Sequence, residues 1–283
     1  MRGAFNAFSA SVAILATSAI GSGARAEVFG GPEPGQMGFL PAVSQGAADI
    51  QWLHNWILLP VTVGISIFVL ALLAYVVFRF NENSNPVASR RTHNGLLEVA
   101  WTVAPALVLV IIAVPSFRLL TQQLVIPAPD LTLKVTASQW HWNYGYPKSE
   151  GGFAFDSLVI DDKDLKPGNI RLLSVDNPLV VPIGKVVELD VTSQDVIHSF
   201  SVPSFGIKID AIPGRLNKTW FKADQEGVLY GQCSNICGID HAFMPIEVRV
   251  LSEKNYEAWL AQAKKSFAAA DGVDIAAAPL ARP

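Results

Sequence analysis

The sequence predicts a transmembrane helical hairpin of two helices followed by an all-β domain. Two apolar segments, 53–78 and 96–119, are each long enough to cross the hydrocarbon core of a bilayer. From Leu131 onward, apolar and polar residues alternate in short runs that Pro, Gly, Asp and Asn turns separate, which is typical of a β-sandwich or barrel. The chain has 283 residues, of which 51% are hydrophobic and 16% charged, and this composition also favours a membrane protein.

The first 26 residues have the features of a secretory signal peptide. Arg2 supplies a positive start, residues 10–20 form a short apolar run, and Ala24-Arg25-Ala26 is a small-x-small cleavage site. We expect removal of residues 1–26; a retained N-terminal anchor is the alternative. Residues 27–52 are rich in Gly, Pro and Ala and are predicted to form an extended extracytoplasmic arm.

The hairpin is predicted over residues 53–120, with a connecting loop at about 80–95. The loop and its border carry three arginines, whereas the arm carries no Lys or Arg. These arginines are Arg79, Arg90 and Arg91. The positive-inside rule therefore places the loop in the cytoplasm and both mature termini in the periplasm of a bacterial inner membrane. The β-domain then faces the periplasm as well.

The β-domain is predicted over residues 128–252. Its expected strands are short runs at 153–160, 170–175, 185–193, 196–203, 218–222, 227–232 and 246–251, in addition to the alternating run that begins at Leu131. An amphipathic helix is predicted at 253–270, where Tyr256, Trp259 and Leu260 share one face. The Ala- and Pro-rich residues 271–283 are expected to form a mobile tail.

Five soft ligands converge on one loop and one upstream strand. They are Cys233, Cys237, His241, Met244 and His198. Two thiolates, two imidazoles and a thioether suit copper better than magnesium or calcium. Because the two cysteines lie four positions apart, both sulfurs can bridge two metal ions, which leaves one histidine for each ion. A disulfide between the cysteines and a Cys/His zinc site are the alternatives.

This constellation resembles the dinuclear copper motif, CuA, of cytochrome c oxidase subunit II. The matching residues are Cys233-Ser234-x-x-Cys237-Gly238-x-x-His241-x-x-Met244-Pro245 with His198-Ser199 upstream. Further matches are Gln139-Trp140-His141-Trp142, Lys166-Pro167-Gly168, Val175-Asp176-Asn177 and Asp210-Ala211-Ile212-Pro213-Gly214-Arg215. With the paired membrane segments, the resemblance covers roughly residues 40–260 in order.

The resemblance implies a cupredoxin-like Greek-key domain that holds two copper ions. The implied ligands are the side chains of His198, Cys233, Cys237, His241 and Met244 and the backbone carbonyl of Asn235. The implied function is that of the subunit that accepts electrons from cytochrome c and passes them to a haem of subunit I. Subunit I would reduce oxygen to water and translocate protons, and subunit III is a further expected partner.

Two more roles follow from the resemblance. Electrons would enter at Trp140, the first Trp of the aromatic run, although core packing is the alternative that residue type alone favours. Glu98, at the cytoplasmic end of the second span, would lie at the mouth of a proton-uptake channel in subunit I. The alternative for Glu98 is a carboxylate that reaches into the lipid headgroups. His141, where the family usually has Tyr, is expected to have a packing or surface role.

Two positions depart from the family pattern in ways that affect function. The family usually has Glu at position 235, and its side chain binds a magnesium or manganese ion at the interface with subunit I. Asn235 is neutral and a weaker ligand for such a hard cation, so the sequence argues against this second site. Gly145 replaces an acidic residue that the family often carries, which predicts a weaker or altered donor interface, for example with a membrane-anchored cytochrome.

Acidic side chains near Trp140 are expected to attract a basic cytochrome c, so that the rate should fall with salt. The candidates are Glu150, Asp156, Asp161, Asp162, Asp164 and Asp195. The sequence contains no CxxCH motif for a covalent haem and no basic stripe typical of nucleic-acid binding. A quinol oxidase subunit and a membrane-anchored copper carrier are the alternative functions; the former lacks the copper ligands, and the latter needs an exchangeable site.

Overall fold

The computed structural model describes residues 28–267, so the predicted signal peptide and the tail at 271–283 lie outside the described residues. Four helices are described. They are α1 (Gln45–Leu53), α2 (Leu59–Arg79), α3 (Gly95–Leu124) and α4 (Glu253–Phe267), with a π-helical segment, His54–Leu58, joining α1 to α2 without a break.

The first membrane helix begins at Gln45, earlier than the predicted start of the hairpin. Ser44 caps it, because its hydroxyl accepts a hydrogen bond from the N–H of Ala47 at 3.1 Å. The predicted extended arm is therefore wrong for its last residues, which are helical. The most apolar 18-residue stretch of the continuous helix Gln45–Arg79 has a mean hydropathy of 2.7 and that of Gly95–Leu124 one of 2.3, and both helices are long enough to cross a membrane.

Eleven strands are described between residues 28 and 267, and ten of them follow the membrane helices. They are β1 (Val28–Gly30), β2 (Leu131–Ser138), β3 (His141–Gly145), β4 (Ala154–Ser157), β5 (Leu179–Pro182), β6 (Val186–Ser193), β7 (His198–Val202), β8 (Ile207–Ala211), β9 (Asn217–Lys222), β10 (Gly227–Cys233) and β11 (Pro245–Leu251).

The strands form two sheets that pack face to face. One sheet has the order β5-β11-β10-β7-β8, with β1 also paired to β10, and the other has the order β4-β3-β2-β6-β9. Alternate residues point between the sheets; Leu133 and Val135 of β2 and Val248 of β11 are completely buried. Each such side chain contributes about 1.5–3 kcal/mol of burial free energy. The predicted fold class, two membrane helices followed by a β-sandwich, is confirmed.

One predicted strand is wrong, and four of the described strands, β1, β3, β5 and β8, were not predicted. Residues 170–175 form turns, because the Ser174 hydroxyl accepts a hydrogen bond from the N–H of Ile170 at 2.9 Å and Leu172 has a φ of 63°. The strands β5 and β8 are short and flanked by Pro and Gly, and this weakens the alternation signal. The helix α4 occupies most of the range predicted for it.

Candidate metal centre

The five predicted side-chain ligands lie at one end of the sandwich, where two paired strands and a loop meet. His198 is the first residue of β7 and Cys233 the last residue of β10. These strands are antiparallel neighbours, with Cys233 opposite Phe200. Gly231 is required here, since a side chain at this position would collide with the backbone carbonyl of Ser201. The pairing brings the upstream histidine against the cysteine loop.

Four of the donor atoms form a continuous chain of close contacts. Met244 Sδ is 3.3 Å from His198 Nδ1 and 3.5 Å from Cys237 Sγ. Cys237 Sγ is also 3.4 Å from Nδ1 of His241. The two histidines therefore approach the sulfur atoms from opposite ends of the cluster.

The two thiols lie between these histidines, with their sulfur atoms 3.9 Å apart and not bonded to each other. Cys233 Sγ is 4.0 Å from His198 Nδ1 and 3.3 Å from the carbonyl oxygen of Asn235. All six predicted ligand atoms thus belong to one cluster. The disulfide alternative is not the state that this structure shows.

The spacing of the donor atoms fits a metal site. Ligands that lie ~2.0–2.3 Å from a tetrahedral metal ion are ~3.3–3.8 Å from one another. Four of the six contacts, at 3.3 to 3.5 Å, lie in that range, and the other two, at 3.9 and 4.0 Å, are slightly longer. Among the described residues, His198, Cys233 and Cys237 form a buried group whose ligand atoms all lie within 4.8 Å of one another. The soft character of this donor set favours copper.

The cluster is largely closed to solvent. His198 is fully buried, and Cys233, Cys237 and Met244 expose 6%, 5% and 2% of their surface, whereas His241 is half-buried. Trp142 of β3 forms part of the floor: its indole N–H donates to the Met244 carbonyl at 3.2 Å, and its ring lies edge-on to His198. Rigid walls of this kind limit how far the ligands can move.

Asp195 fixes the orientation of His198. Its Oδ1 lies 2.9 Å from His198 Nε2, and because a carboxylate only accepts, Nε2 carries the proton and Nδ1 is left to bind metal. The same carboxylate accepts hydrogen bonds from the backbone N–H groups of Gln139 at 2.7 Å and Val196 at 2.6 Å. Asp195 therefore connects the histidine to the segment that carries Trp140.

These contacts shift the pKa values of both groups. Burial of Asp195 opposes its ionisation, but hydrogen bonds from His198 and from the backbone of Gln139 and Val196 hold the pKa of the carboxyl below its usual value. Burial of His198 opposes its protonation, but its contacts with Cys233 and Asp195 raise the pKa of the imidazole. The pair is therefore polarised, with negative charge on Asp195.

The two thiols differ in acidity. Burial opposes ionisation of Cys233, but its contacts with the His198 imidazole and with the backbone of Asn235 and Ser199 lower the pKa of the thiol to about 6. Burial and the charge of Cys233 raise the pKa of the Cys237 thiol to about 12. In the absence of a cation, the cluster therefore accommodates one thiolate but not two. A bound metal ion would supply the positive charge that lets both thiols ionise.

Trp140 lies against the cysteine loop. A Cβ at Gly238 would be 2.9 Å from Cζ2 of Trp140, so the absence of a side chain lets the indole contact the loop backbone. The neighbouring Gln139 amide donates to the carbonyl of Cys237 at 2.8 Å. Trp140 is half-buried, and its indole N–H has no hydrogen-bond partner in the part of the chain that the structure describes.

Glu98 has a local partner at the start of α3. Asn94 caps the helix by accepting a hydrogen bond from the N–H of Leu97 at 3.3 Å, and Glu98 Oε1 accepts one from the N–H of Asn94 at 3.1 Å. Glu98 is half-buried in the described chain. A capping role is therefore visible, while the proton-channel role stays a prediction.

Five of the six predicted docking acids have partners. Asp156 contacts His141 at 3.6 Å, Asp162 contacts Arg171 at 2.9 Å, and Asp161 contacts Lys163 at 3.4 Å. Glu150 accepts from the Tyr256 hydroxyl at 3.2 Å. The fifth, Asp195, orients His198, a predicted metal ligand, and the sequence prediction missed this role.

Sequence reasoning also missed Trp142 and Gln139 as parts of the site. The alternation in β3 could have placed Trp142 in the core, because positions 142 and 144 are buried and 141 and 143 are less so. No local signal identifies Gln139 or Asp195. Their roles depend on contacts between segments that are far apart in sequence, such as Gln139 with Cys237.

Comparisons with known proteins converge on one family. The family profile described as "Cytochrome C oxidase subunit II, transmembrane domain" matches residues 32–119. The profile described as "Cytochrome C oxidase subunit II, periplasmic domain" matches residues 131–251. Together the two matches cover both membrane helices and the β-sandwich.

Individual relatives resemble most of the chain. A probable cytochrome c oxidase subunit 2 of Rickettsia bellii is 47% identical over 246 residues, which cover 87% of this chain and 91% of the relative. Cytochrome c oxidase subunit 2 of Cereibacter sphaeroides is 44% identical over 267 residues, covering 89% and 88%. The crystal structure of the periplasmic domain of subunit II (CoxB) of Bradyrhizobium japonicum is 55% identical, covers 50% of this chain and 99% of that chain, and has a TM-score of 0.47.

Proposed function

Because this chain belongs to the cytochrome c oxidase subunit II family, we propose that it is the subunit through which electrons enter the oxidase. Cytochrome c would be the donor, and the acceptor would be a haem in subunit I of the same complex. The observation that carries the proposal is the convergence of six donor atoms, with contacts of 3.3 to 4.0 Å, at the end of the sandwich.

Two copper ions fit this donor set better than one. The sulfur atoms of Cys233 and Cys237 lie side by side, with His198 and Met244 towards one end and His241 towards the other. The carbonyl of Asn235 supplies a donor beside Cys233. When bound, the copper pair would supply a carrier that takes up and releases one electron with little change in geometry.

The protein contributes rigidity and exclusion of water. Asp195 fixes the tautomer and ring plane of His198, and the indole N–H of Trp142 donates a hydrogen bond to the backbone carbonyl of Met244. Burial of both thiols limits access by oxidants and competing ligands. These features support electron transfer rather than bond-making chemistry, because His198, both thiols and Met244 are buried.

Electrons would enter at Trp140. Its indole touches the loop that carries Cys237, and its neighbour Gln139 hydrogen-bonds the carbonyl of that cysteine. The acidic side chains Asp161, Asp162 and Asp164 are exposed and could guide a basic donor by long-range attraction. The contact between Trp140 and the ligand loop is what supports a short route into the cluster.

The membrane arrangement is proposed on the same basis. Both helices would cross the bacterial inner membrane, with the copper domain and both mature termini in the periplasm after removal of residues 1–26. Subunits I and III would pack against the hairpin, and Glu98 would lie at the mouth of a proton-uptake channel on the cytoplasmic side. Asn235 makes a magnesium or manganese site at the subunit I interface weak.

The purified oxidase complex tests this function. We expect it to oxidise reduced cytochrome c with oxygen as acceptor, and to contain two copper ions that a complex with Cys233→Ser and Cys237→Ser lacks. A complex that turns over normally with both cysteines replaced would contradict the proposal. Oxidation of a quinol but not of cytochrome c would favour the quinol oxidase alternative.

A further inference from the structure

We propose that the contact between the start of α1 and the turn Pro203–Gly206 is a positioning joint for electron transfer out of the copper domain. The joint would fix the height and tilt of the metal-binding end relative to the membrane helices. It would thereby set the rate at which electrons pass to subunit I without affecting their delivery by cytochrome c. This inference rests on the proposed function.

The chain that leads into α1 is held by backbone hydrogen bonds on both sides. The N–H of Val43 donates to the carbonyl of Ser204 at 2.9 Å, and the carbonyl of Val43 accepts from the N–H of Asp224 at 2.9 Å. Val43 exposes 1% of its surface. The residue before the helix cap is therefore inserted between two loops of the β-domain.

Ser44 connects the helix cap to the same turn. Its hydroxyl donates to the carbonyl of Phe205 at 2.8 Å and accepts from the N–H of Ala47 at 3.1 Å. One buried side chain thus caps the membrane helix and binds the β-domain. A movement of α1 away from the turn would break the bond to Phe205 if Ser44 moved with the helix, or the cap bond to Ala47 if Ser44 stayed with the turn.

Gly206 is the closest point of approach. It has a φ of +69°, and a Cβ at this position would be 2.8 Å from the backbone N and 2.9 Å from Cα of Ala47. Both distances are shorter than real Cβ contacts allow, and the neighbouring atoms are backbone that cannot move aside easily. Only glycine lets the helix lie this close to the turn.

The second membrane helix ends at the same place. The side-chain amide of Gln123 in α3 approaches the carbonyl of Gly206 at 3.4 Å, and the backbone carbonyl of Gln123 accepts from the indole N–H of Trp220 at 3.2 Å. Phe205 stacks on Phe221 with ring centroids 4.0 Å apart. Both helices are therefore attached to one short turn supported by β9.

The strand β7 connects this turn directly to a metal ligand. It runs from His198 to Val202, and the turn begins at Pro203. Five residues of extended chain span about 17 Å. A change in tilt at the joint is therefore carried along a stiff, buried strand to the imidazole of His198, while the ligand contacts themselves stay intact.

The test is the substitution Gly206→Ala in the full oxidase complex. We expect unchanged copper content and an unchanged copper spectrum, an unchanged rate of electron delivery from cytochrome c, and a slower transfer from copper to the haem of subunit I. Small misplacements of reacting groups can reduce rates by ~100-fold, and a loss of roughly tenfold is expected here. If the complex that contains the unaltered chain lacked the copper spectrum, the proposed function itself would be refuted.

The matched control is Gly184→Ala. Gly184 also has a positive φ, of +73°, but a Cβ there meets nothing within 4 Å, so the backbone cost is similar and the helix contact is absent. We expect normal transfer in both directions for this control. Equal slowing in the two variants, or loss of copper with Gly206→Ala, would overturn the proposal.

A second pair of variants keeps the test decisive if Gly206→Ala does not assemble. Ser44→Ala removes the hydroxyl that binds Phe205, whereas Ser44→Thr retains one. We expect slower transfer from copper to haem with Ser44→Ala and recovery with Ser44→Thr, while delivery from cytochrome c is unchanged. Normal transfer with Ser44→Ala would contradict a positioning role for the joint.

Discussion

The candidate metal-binding end and the membrane hairpin differ in how far this chain alone supplies the contacts that each of them needs. At the metal-binding end, the ligands are buried and the carboxylate that orients His198 comes from the same chain. In the hairpin, none of the residues of α2 or α3 is buried, and large apolar side chains such as Phe78 and Leu109 expose 76% and 66% of their surface.

This contrast separates a preorganised site from a surface that needs partners. The geometry of the candidate ligand cluster is set within this chain, by strand pairing and buried hydrogen bonds. The exposed apolar surface of the hairpin requires lipid or protein neighbours before it can be stable. Substitutions at the metal-binding end should therefore act on copper and electron transfer, whereas those in the hairpin should act on assembly or on proton movement.

The largest expected effect is that of Cys233→Ser. Loss of one bridging thiolate should remove both copper ions and reduce turnover with cytochrome c to the background, because a serine hydroxyl is a poor ligand for a soft metal. Metal analysis of the purified complex measures this. The control is Ser234→Ala, whose exposed side chain should leave copper content unchanged; retention of both ions in Cys233→Ser would show that the thiols do not bridge them.

The next effect concerns electron delivery. Trp140→Ala should slow electron transfer from cytochrome c by about 100-fold, equivalent to ~2.7 kcal/mol of activation free energy, while the copper spectrum is retained. Stopped-flow reduction by cytochrome c measures this rate. A variant that is reduced as fast as the unaltered complex would place the point of electron delivery elsewhere.

A smaller effect is expected for Asp195→Ala. Removing the carboxylate that binds His198 Nε2 should weaken copper affinity by about 10–100-fold, because partners of this kind orient a histidine ligand. Competition with a copper chelator measures the affinity. Asp164→Ala removes an exposed acid that is not a predicted ligand, and an equal loss in that control would mean that general charge, rather than the hydrogen bond, is responsible.

The smallest effect is expected from a substitution in the hairpin, which should leave the copper site unchanged. Glu98→Ala should slow turnover several-fold by impeding proton uptake and leave the copper spectrum and the rate of reduction by cytochrome c unchanged. Glu98 also accepts a bond from the N–H of Asn94, so Glu98→Gln serves as the second variant, because it retains an acceptor without the acid. Normal turnover in both variants would refute a role in proton uptake.

The convergence of the predicted ligand residues could be foreseen because most of them lie close together in the sequence. Four of the five side-chain ligands lie between Cys233 and Met244, and their spacing alone suggests two bridged metal ions. The alternating pattern of β2 and the length of the apolar segments were equally direct signals for the fold class.

The remaining features depend on contacts that local patterns do not encode. Ser44 binds Phe205 across 161 residues, and Gln139 binds Cys237 across 98. The early start of α1 and the turns at 170–175 both follow from single serine hydroxyls that bond to backbone, and these outweigh the hydrophobic pattern. Asp195 was predicted as an acid that attracts cytochrome c, because nothing near it in the sequence indicates its hydrogen bond with His198.

Electron paramagnetic resonance of the oxidised complex tests the central claim most directly. If Cys233 and Cys237 bridge two copper ions, one unpaired electron is shared, and the spectrum will show hyperfine coupling to two equivalent copper nuclei. Coupling to a single copper nucleus, as in a mononuclear site, would contradict the account.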